Sequence, residues 1–333
     1  MAKIGIRSVA FSFMLMMLMI SLFSLFGRLR ASPILSFISN THGNRDIFLL
    51  DTRTRLVHNL TQSPTADDWS YVWSQDGRQI IYTIAIDSGD DLFVMDAVGR
   101  NRRLVQGLRT QQAFNLTWSN DGQSLVYFSS YQNTSDLYLI SLANNTVTNI
   151  TQSENLSEAF PDWSPNGSNL LFFLQGDMYL RDMQDDSITR ITDSPAAEEY
   201  PVWSPDGSQI VFQRVDRMNG KRHLYLLDIA SGDIRQLETM AAPRAQPVSW
   251  SPDSRFITLT LDTQQVIILD VESGAIQILT EGFERTLSAV WSPDARYIAY
   301  IENRRIQIYD IQQEETIRLD LDMIVLPPLI WQP

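Results

Sequence analysis

The chain contains no cysteine, only two lysines and only three histidines among its 333 residues. Without cysteine, neither disulfides nor thiol chemistry can contribute to the fold or to function. The histidines, His42, His58 and His223, are far apart in the sequence, which disfavours a histidine metal site or a Ser-His-Asp triad. Neither a Gly-x-Ser-x-Gly nucleophile motif nor a phosphate-binding Gly-x-x-x-x-Gly-Lys occurs. We therefore predict a protein that is not an enzyme and that uses no metal and no cofactor.

Positive charge is scarce and unevenly placed. The formal net charge is −13, yet the first thirty residues contain four basic residues and no acidic one, so the rest of the chain carries −17. Such an acidic body argues against nucleic-acid binding, which requires basic patches. It favours solubility and partners that present basic groups.

A long uncharged stretch lies near the N-terminus. Residues 9–27 contain no charge, and as a helix they would span roughly 28 Å, about one hydrocarbon core. The sequence therefore predicts a basic segment at 1–8, a transmembrane signal anchor at 9–27 and a short tether at 28–33.

The alternative is a cleaved secretory signal. Its apolar core should be only about 7–15 residues long and should end at small residues, whereas here the run is longer and arginines follow it. We expect a single-pass protein with its N-terminus inside and the rest of the chain outside the cytoplasm. Secretion after cleavage is the other possibility.

One five-residue motif recurs through the rest of the chain. Trp203-Ser-Pro-Asp-Gly207 is its fullest copy, and degenerate copies begin at Trp73, Trp118, Trp163, Trp250, Trp291 and Trp331. Successive motif tryptophans are 45, 45, 40, 47, 41 and 40 residues apart. A nearly fixed period of this size indicates a repeat fold, here a β-propeller with one blade per repeat.

The motif has the composition of a tight turn. Ser, Pro, Asp and Gly suit positions i to i+3 of a type I turn, and each tryptophan can serve as a large apolar anchor between blades. The recurring aspartates could serve metal or acid chemistry. Repeated copies of one turn are expected in a repeat protein, however, whereas repeated copies of one catalytic residue are not. We interpret these aspartates as turn residues: Asp76, Asp121, Asp206, Asp253 and Asp294.

Alternating aromatic and aliphatic segments follow each turn, for example at 210–212 and 224–227. They predict an all-β protein with seven four-stranded antiparallel blades over residues 34–333. The first repeat lacks its first strand, and residues 326–331 at the other end of the chain can supply it. Such a composite blade would close the ring and satisfy the hydrogen bonds that an edge strand leaves open.

The Trp-Ser-Pro-Asp-Gly copies and the strands after them resemble the TolB-like β-propeller repeat, which also occurs in the propellers of the prolyl oligopeptidase group. The resemblance covers residues 34–333. It implies the fold and a tendency to bind proteins. TolB itself carries an extra α/β domain before a six-bladed propeller, whereas here only the hydrophobic segment and a short tether precede the repeats. TolB's own partners and trafficking role are therefore not implied.

Variable residues lie just before each motif tryptophan. In a propeller the innermost strands begin there, so these residues should surround one mouth of the central channel. Aromatic residues with polar neighbours are typical of interaction hot spots. The alternative is that the aromatic members pack between blades. We predict a ring with an aromatic, acidic arc and an arginine arc, formed by Asp67, Asp68, Trp69, Phe114, Glu158, Phe160, Glu198, Glu199, Tyr200, Arg244 and Arg285.

Two classes of function fit this sequence. The first is a membrane-anchored, extracytoplasmic binding or sensor module that holds a protein, peptide or glycan at the propeller mouth. The second is a propeller enzyme, a hydrolase or a lyase, that uses carboxylates in the central channel. Propellers serve both, so the fold does not decide between them. The scarcity of histidine and lysine favours the first class.

Overall fold

The structure is a computed structural model that describes residues 33–333, apart from 42, 64–65, 87–88, 110–112, 132–133, 152–157, 238, 240–242, 244–245, 247 and 283–284. The predicted basic segment, the predicted membrane anchor and nearly all of the tether lie outside the described residues. Among the residues that the structure describes, there is no helix long and hydrophobic enough to cross a bilayer.

In the described part of the chain, twenty-eight strands form seven four-stranded antiparallel sheets, which confirms the predicted seven blades. Blade 1 contains β1 (Ile34–Ser39), β2 (Asp46–Asp51), β3 (Val57–Asn59) and the last strand, β28 (Val325–Trp331). Blade 2 contains β4 (Asp68–Trp73), β5 (Gln79–Ile86), β6 (Gly89–Asp96) and β7 (Arg103–Arg109). Blade 3 contains β8 (Ala113–Trp118), β9 (Ser124–Tyr131), β10 (Thr134–Ser141) and β11 (Thr146–Asn149).

In blades 2 to 7 the chain runs from the innermost to the outermost strand, whereas in blade 1 the last strand, β28, is the innermost one. Blade 4 contains β12 (Glu158–Trp163), β13 (Asn169–Leu174), β14 (Asp177–Asp182) and β15 (Ile188–Arg190). Blade 5 contains β16 (Ala197–Trp203), β17 (Gln209–Val215), β18 (Arg222–Asp228) and β19 (Ile234–Leu237). Blade 6 contains β20 (Ser249–Trp250), β21 (Phe256–Thr260), β22 (Val266–Asp270) and β23 (Ile276–Ile278). Blade 7 contains β24 (Thr286–Trp291), β25 (Tyr297–Glu302), β26 (Arg305–Asp310) and β27 (Glu315–Leu319).

The hydrophobic core lies between the blades. Strand β13 buries four consecutive residues, whereas all three residues of the outermost strand β15 are exposed. A strand that is covered on both faces has consecutive apolar residues in its sequence, because each of its faces packs on a neighbouring blade. Apolar clusters accordingly combine residues of adjacent blades, such as Val211 of blade 5 with Trp250 of blade 6.

Blade 1 is composite, as the sequence predicts. Strand β28 pairs with β1 in antiparallel register, with Leu35 opposite Trp331 and Ser39 opposite Val325. The first and last strands of the propeller thus occupy one sheet, and the ring closes through backbone hydrogen bonds.

The strand order gives the propeller two faces. The mouth face carries the starts of the innermost strands and the hairpins between the second and third strands of each blade. The turn face carries the Trp-Ser-Pro-Asp-Gly turns. In the fullest copy, Asp206 Oδ1 accepts the Ser204 hydroxyl at 2.6 Å and the Ser208 N–H at 3.0 Å. Gly207 has a φ of +73°, a conformation that glycine adopts without steric cost.

The innermost strands share one irregularity near the mouth. In blades 3, 4, 5 and 7, the residue three positions before the motif tryptophan has a positive φ, and the register with the second strand shifts there. These residues are Asn115, Phe160, Tyr200 and Ser288. Such a β-bulge bends the strand and re-aims its side chains, so the bulge helps to shape the channel mouth.

Candidate functional site

Trp69 is a large side chain on the mouth face that is 50% exposed. The guanidinium of Arg45, from blade 1, lies over its ring at 3.7 Å from the centroid. The loop beneath is held by Asp67, whose Oδ1 accepts the Arg45 N–H at 2.7 Å and whose carbonyl accepts the Ala85 N–H at 2.9 Å. A loop tied down in this way presents the ring in a fixed position, so little conformational freedom is lost on binding.

Asp68, the neighbour of Trp69, lies beneath the mouth and not on its surface. Its exposed fraction is 0%, and neither carboxylate oxygen accepts a hydrogen bond of normal geometry from a described residue. Burial raises the pKa of this carboxyl to about 7, and the nearby Thr61 hydroxyl, which donates to Asp46 at 3.2 Å, offsets the rise only in part. Asp68 therefore lies beneath the rim and is not part of the exposed mouth surface.

Glu198 occupies the same place in blade 5, five residues before the motif tryptophan, and is also buried. It has two donors: the Thr192 hydroxyl at 2.5 Å and Arg214 Nε at 2.9 Å. Burial raises the pKa of Glu198, and the two donors counteract the rise. The contrast with Asp68 arises from the register, because Glu198 lies opposite Arg214 whereas Asp68 lies opposite Ile84, which has no side-chain donor.

Phe160, Glu199 and Tyr200 come together where blades 4 and 5 meet. The Phe160 and Tyr200 ring centroids are 5.2 Å apart, and Phe160 also meets the buried Phe173 edge-on at 5.8 Å. Phe160 therefore packs partly between blades, which is the alternative that the sequence left open. The Glu199 side chain is 31% exposed, and its Oε2 lies 3.5 Å from Arg222 Nε without a hydrogen bond.

The other predicted ring residues are placed only in part. Arg285 is exposed on the mouth face, immediately before β24. Arg244 lies outside the described residues, as do the side chains of Phe114 and Glu158, which stand at the starts of β8 and β12. The structure thus exposes Asp67, Trp69, Glu199, Tyr200 and Arg285 at least partly on the mouth face, with Asp68 and Glu198 beneath it.

A cavity of about 430 Å³, which is not evident from the sequence, lies at the turn-face end of the channel. It is lined by the motif tryptophans of blades 2 to 5 and by the residues that precede them, among which Asp162 is the ionisable one. Burial raises the pKa of Asp162 to about 7, and the backbone N–H groups of Trp203 and Trp163 counteract the rise. The available signal was an acid at a position that holds Val, Thr, Ser or Ile in the other repeats.

The described residues contain no group of three or more His, Asp or Glu side chains placed to hold a metal ion. The recurring aspartates hold turns in the structure. At Asp76, hydrogen bonds from the Ser74 hydroxyl and the Arg78 N–H lower the pKa of the carboxyl.

These features define the class of protein: a closed seven-bladed β-propeller with an aromatic and charged mouth face. The family model of the TolB beta propeller domain matches residues 85–323, and the chain belongs to this family. The predicted resemblance is thereby confirmed.

Three similar proteins share little sequence identity with this chain. An uncharacterised protein of Agrobacterium fabrum is 29% identical over 170 residues, which are 49% of this chain and 57% of that protein. The crystal structure of TolB from Acinetobacter baumannii has a TM-score of 0.59 and 16% identity, covering 74% of this chain and 63% of that one. Oligogalacturonate lyase from Vibrio parahaemolyticus has a TM-score of 0.67 and 13% identity, covering 84% and 87%. This chain spans less than two thirds of the first two proteins, and the structural likenesses show the fold alone.

Proposed function

We propose that this protein is a membrane-anchored binding module whose mouth face takes up a protein partner outside the cytoplasm. The observation that carries the proposal is Trp69, a half-exposed ring at the start of strand β4 that is stacked with Arg45. The residue before the strand, Asp67, is fixed by a hydrogen bond from the Arg45 N–H. Tryptophan, tyrosine and arginine on rigid backbone are the residue types that dominate interface hot spots. The family, whose propellers resemble that of TolB, is consistent with such a role.

Charge supports the same surface. Asp67 and Glu199 are partly exposed on the mouth face near the two aromatic sites, while Arg285 lies on blade 7. A partner that presents basic groups to the acidic blades would associate faster and in a defined orientation, because complementary potentials steer encounter. The net charge of −13 favours basic partners in general.

The membrane part of the proposal rests on the sequence. The uncharged residues 9–27 would anchor the chain, and the tether at 28–33 would keep the propeller close to the bilayer. A tethered propeller meets a partner in two dimensions at high local concentration, which suits a sensor or a scaffold.

A second candidate function is an enzyme, and one observation favours it. Asp162 combines a pKa of about 7 with a position in the 430 Å³ channel cavity, and a carboxyl of that pKa can act as a general acid or base near neutral pH. Among the described residues, however, no second ionisable side chain lines this cavity with Asp162. We therefore place binding first.

Site-specific photo-crosslinking in the full-length protein tests the proposal. A photoreactive phenylalanine derivative, which keeps an aromatic ring, would replace Trp69 on the mouth face. As a matched control it would replace Val98, which is 58% exposed on the turn face. We expect one discrete crosslinked partner from position 69 and not from position 98. Crosslinking of a partner from position 98 alone would contradict a mouth-face binding site.

A further inference from the structure

Within the described part of the chain, three arginines share one arrangement, in which the guanidinium lies over an aromatic ring and pairs with a carboxylate. The sets are Arg214 with Tyr225 and Glu198, Arg255 with Phe256 and Asp270, and Arg296 with Tyr297 and Asp310. The guanidinium carbon is 4.6, 4.9 and 4.9 Å from the ring centroid, and the ion-pair distances are 2.9, 2.9 and 3.0 Å. A ring face and a carboxylate together attract a guanidinium through its charge and its hydrogen bonds.

The Tyr200 site has the ring and the carboxylate of this arrangement, and its own cation, Arg222, is paired with Glu199 at 3.5 Å but does not lie over the ring. Glu199 is the residue before Tyr200. Burial and the Glu199 charge raise the pKa of the Tyr200 hydroxyl, and the Arg222 charge counteracts the rise. Among the described residues, no arginine or lysine lies over the Tyr200 or the Phe160 ring. The rings are partly exposed and contact each other at 5.2 Å across the boundary between blades 4 and 5.

Arg222 is the basic residue nearest to Glu199, and it leaves the carboxylate capacity for a second cation. The Arg222 Nε to Glu199 Oε2 distance is 3.5 Å, and no hydrogen bond joins the two atoms. An ionised carboxylate offers about four acceptor positions, so an additional guanidinium can hydrogen-bond to Glu199 while Arg222 remains in place.

The backbone gives a further indication of function at this site. Phe160 and Tyr200 have φ values of 53° and 54°, and the equivalent bulge positions in blades 3 and 7 hold the small polar residues Asn115 and Ser288. Asparagine tolerates the left-handed region, whereas bulky aromatic residues rarely adopt it. Strained residues of this kind cluster at ligand-binding positions, and here two of them place adjacent rings at the channel mouth.

We infer that the Tyr200–Phe160 ring pair with Glu199 is the subsite that receives an arginine side chain of the protein partner. The inference rests on the proposed binding function and names the chemistry of one contact within it. An incoming guanidinium would stack on the ring pair and donate hydrogen bonds to Glu199, which repeats the arrangement found at Arg214, Arg255 and Arg296.

Fluorescence anisotropy with two labelled peptides tests the subsite directly. The full-length protein is titrated into a hexa-arginine peptide and a hexa-citrulline peptide, which has nearly the same shape but no charge. We expect the arginine peptide to bind at least about tenfold more tightly, and Tyr200→Leu and Glu199→Gln each to weaken it about fivefold or more, as desolvated cation–π and charge-assisted contacts do. Two control variants should bind the arginine peptide within about twofold of the wild-type affinity. Tyr200→Phe keeps the ring, and Glu272→Gln removes an exposed acid on the turn face, where a surface charge far from the contact contributes little.

Several outcomes would overturn the inference. Equal affinity for the two peptides would show that binding does not depend on the guanidinium charge. Equal effects of Glu199→Gln and Glu272→Gln would show that the acidic surface attracts cations without a subsite. Binding of a neutral oligosaccharide that Tyr200→Leu abolishes would assign the rings to sugar stacking. If Tyr200→Leu does not fold, as judged by its thermal transition, Glu199→Gln alone decides. A partner that still crosslinks at position 69 while the peptide contrast fails would leave the binding function standing and remove only the arginine subsite.

Discussion

The indole of Trp73 donates its N–H to the hydroxyl of Ser36 at 2.9 Å, and that hydroxyl donates in turn to the Ile330 carbonyl at 2.8 Å. The buried hydroxyl of β1 thus connects β4, the innermost strand of blade 2, to β28, the last strand of the propeller. Blade closure is therefore supported by a side chain as well as by the β1–β28 backbone pairing.

Ser36→Ala should weaken the closure. Loss of the hydroxyl leaves a buried indole N–H without its acceptor, and we expect the free energy of unfolding to fall by about 1–3 kcal/mol. Urea denaturation of the purified protein measures it, with the exposed Ser187→Ala as the control that should remain unchanged. A Ser36→Ala protein with the midpoint of the wild type would show that the backbone pairing alone closes the ring.

Two motif glycines offer a matched test of how the C-terminus packs. Gly77 and Gly122 have φ values of +65° and +66°, but a Cβ at 77 would lie 2.8 Å from the Pro333 carbonyl oxygen, whereas a Cβ at 122 would meet nothing within 4 Å. Gly122→Ala should cost about 1–2 kcal/mol through its backbone conformation alone. Gly77→Ala should cost measurably more in the same denaturation assay, and equal costs would show that residue 333 does not pack against the turn.

The pH dependence of stability should reveal Asp68. Its pKa of about 7 in the folded protein lies above the ordinary value of 3.8, so the folded state binds the proton more tightly than the unfolded state does. The free energy of unfolding should therefore fall as the pH rises from about 4 to about 7 and then level off. Asp68→Asn should be more stable than the wild type at pH 8, by roughly 2–4 kcal/mol, and the difference should vanish near pH 4.

Denaturation at pH 4 and pH 8 measures this difference, and Glu272→Gln is the control because that carboxylate is exposed on the turn face. Asp162 acts in the same direction, so some pH dependence should persist in Asp68→Asn. A variant with wild-type stability at pH 8 would mean that Asp68 is solvated in the folded protein.

The repeats could be predicted from the sequence because they are set by local chemistry. The spacing of the motif tryptophans predicts seven blades. The Ser-Pro-Asp-Gly turn after each tryptophan predicts the hairpin that joins the first and second strands of the blade. The side chains at the mouth could not be placed in this way. Whether Asp68 and Glu198 are paired depends on the residue opposite each in the second strand, Ile84 or Arg214, and the spacing of the motif does not show that residue.

Contacts between blades were equally invisible in the sequence. Arg45 reaches Trp69 from the preceding blade, 24 positions earlier in the chain, and only the closed ring brings the two together. Asp162 was overlooked for the same reason, because its pKa is set by burial and by N–H groups that include that of Trp203 on the next blade.

The sequence predicts a membrane topology with the N-terminus inside and the propeller outside the cytoplasm. A reporter fused after Pro333 should be active outside the cytoplasm, and the full-length protein should sediment with membranes, because residues 9–27 are long enough to span the bilayer. N-terminal sequencing of the mature protein tests the alternative, a cleaved signal. A soluble product that begins near residue 32 would identify residues 9–27 as a cleaved signal.

The central claim is that the mouth face holds a protein partner, and the affinity of the purified, crosslink-identified partner for Trp69→Ala and Val98→Ala tests it most directly. Trp69→Ala should cost about 2 kcal/mol or more, roughly thirtyfold in Kd, while Val98→Ala, equally exposed on the opposite face, should bind as the wild type does. Both proteins should keep the wild-type thermal transition. Unchanged affinity for Trp69→Ala together with weaker binding by Val98→Ala would place the partner on the turn face and contradict the account.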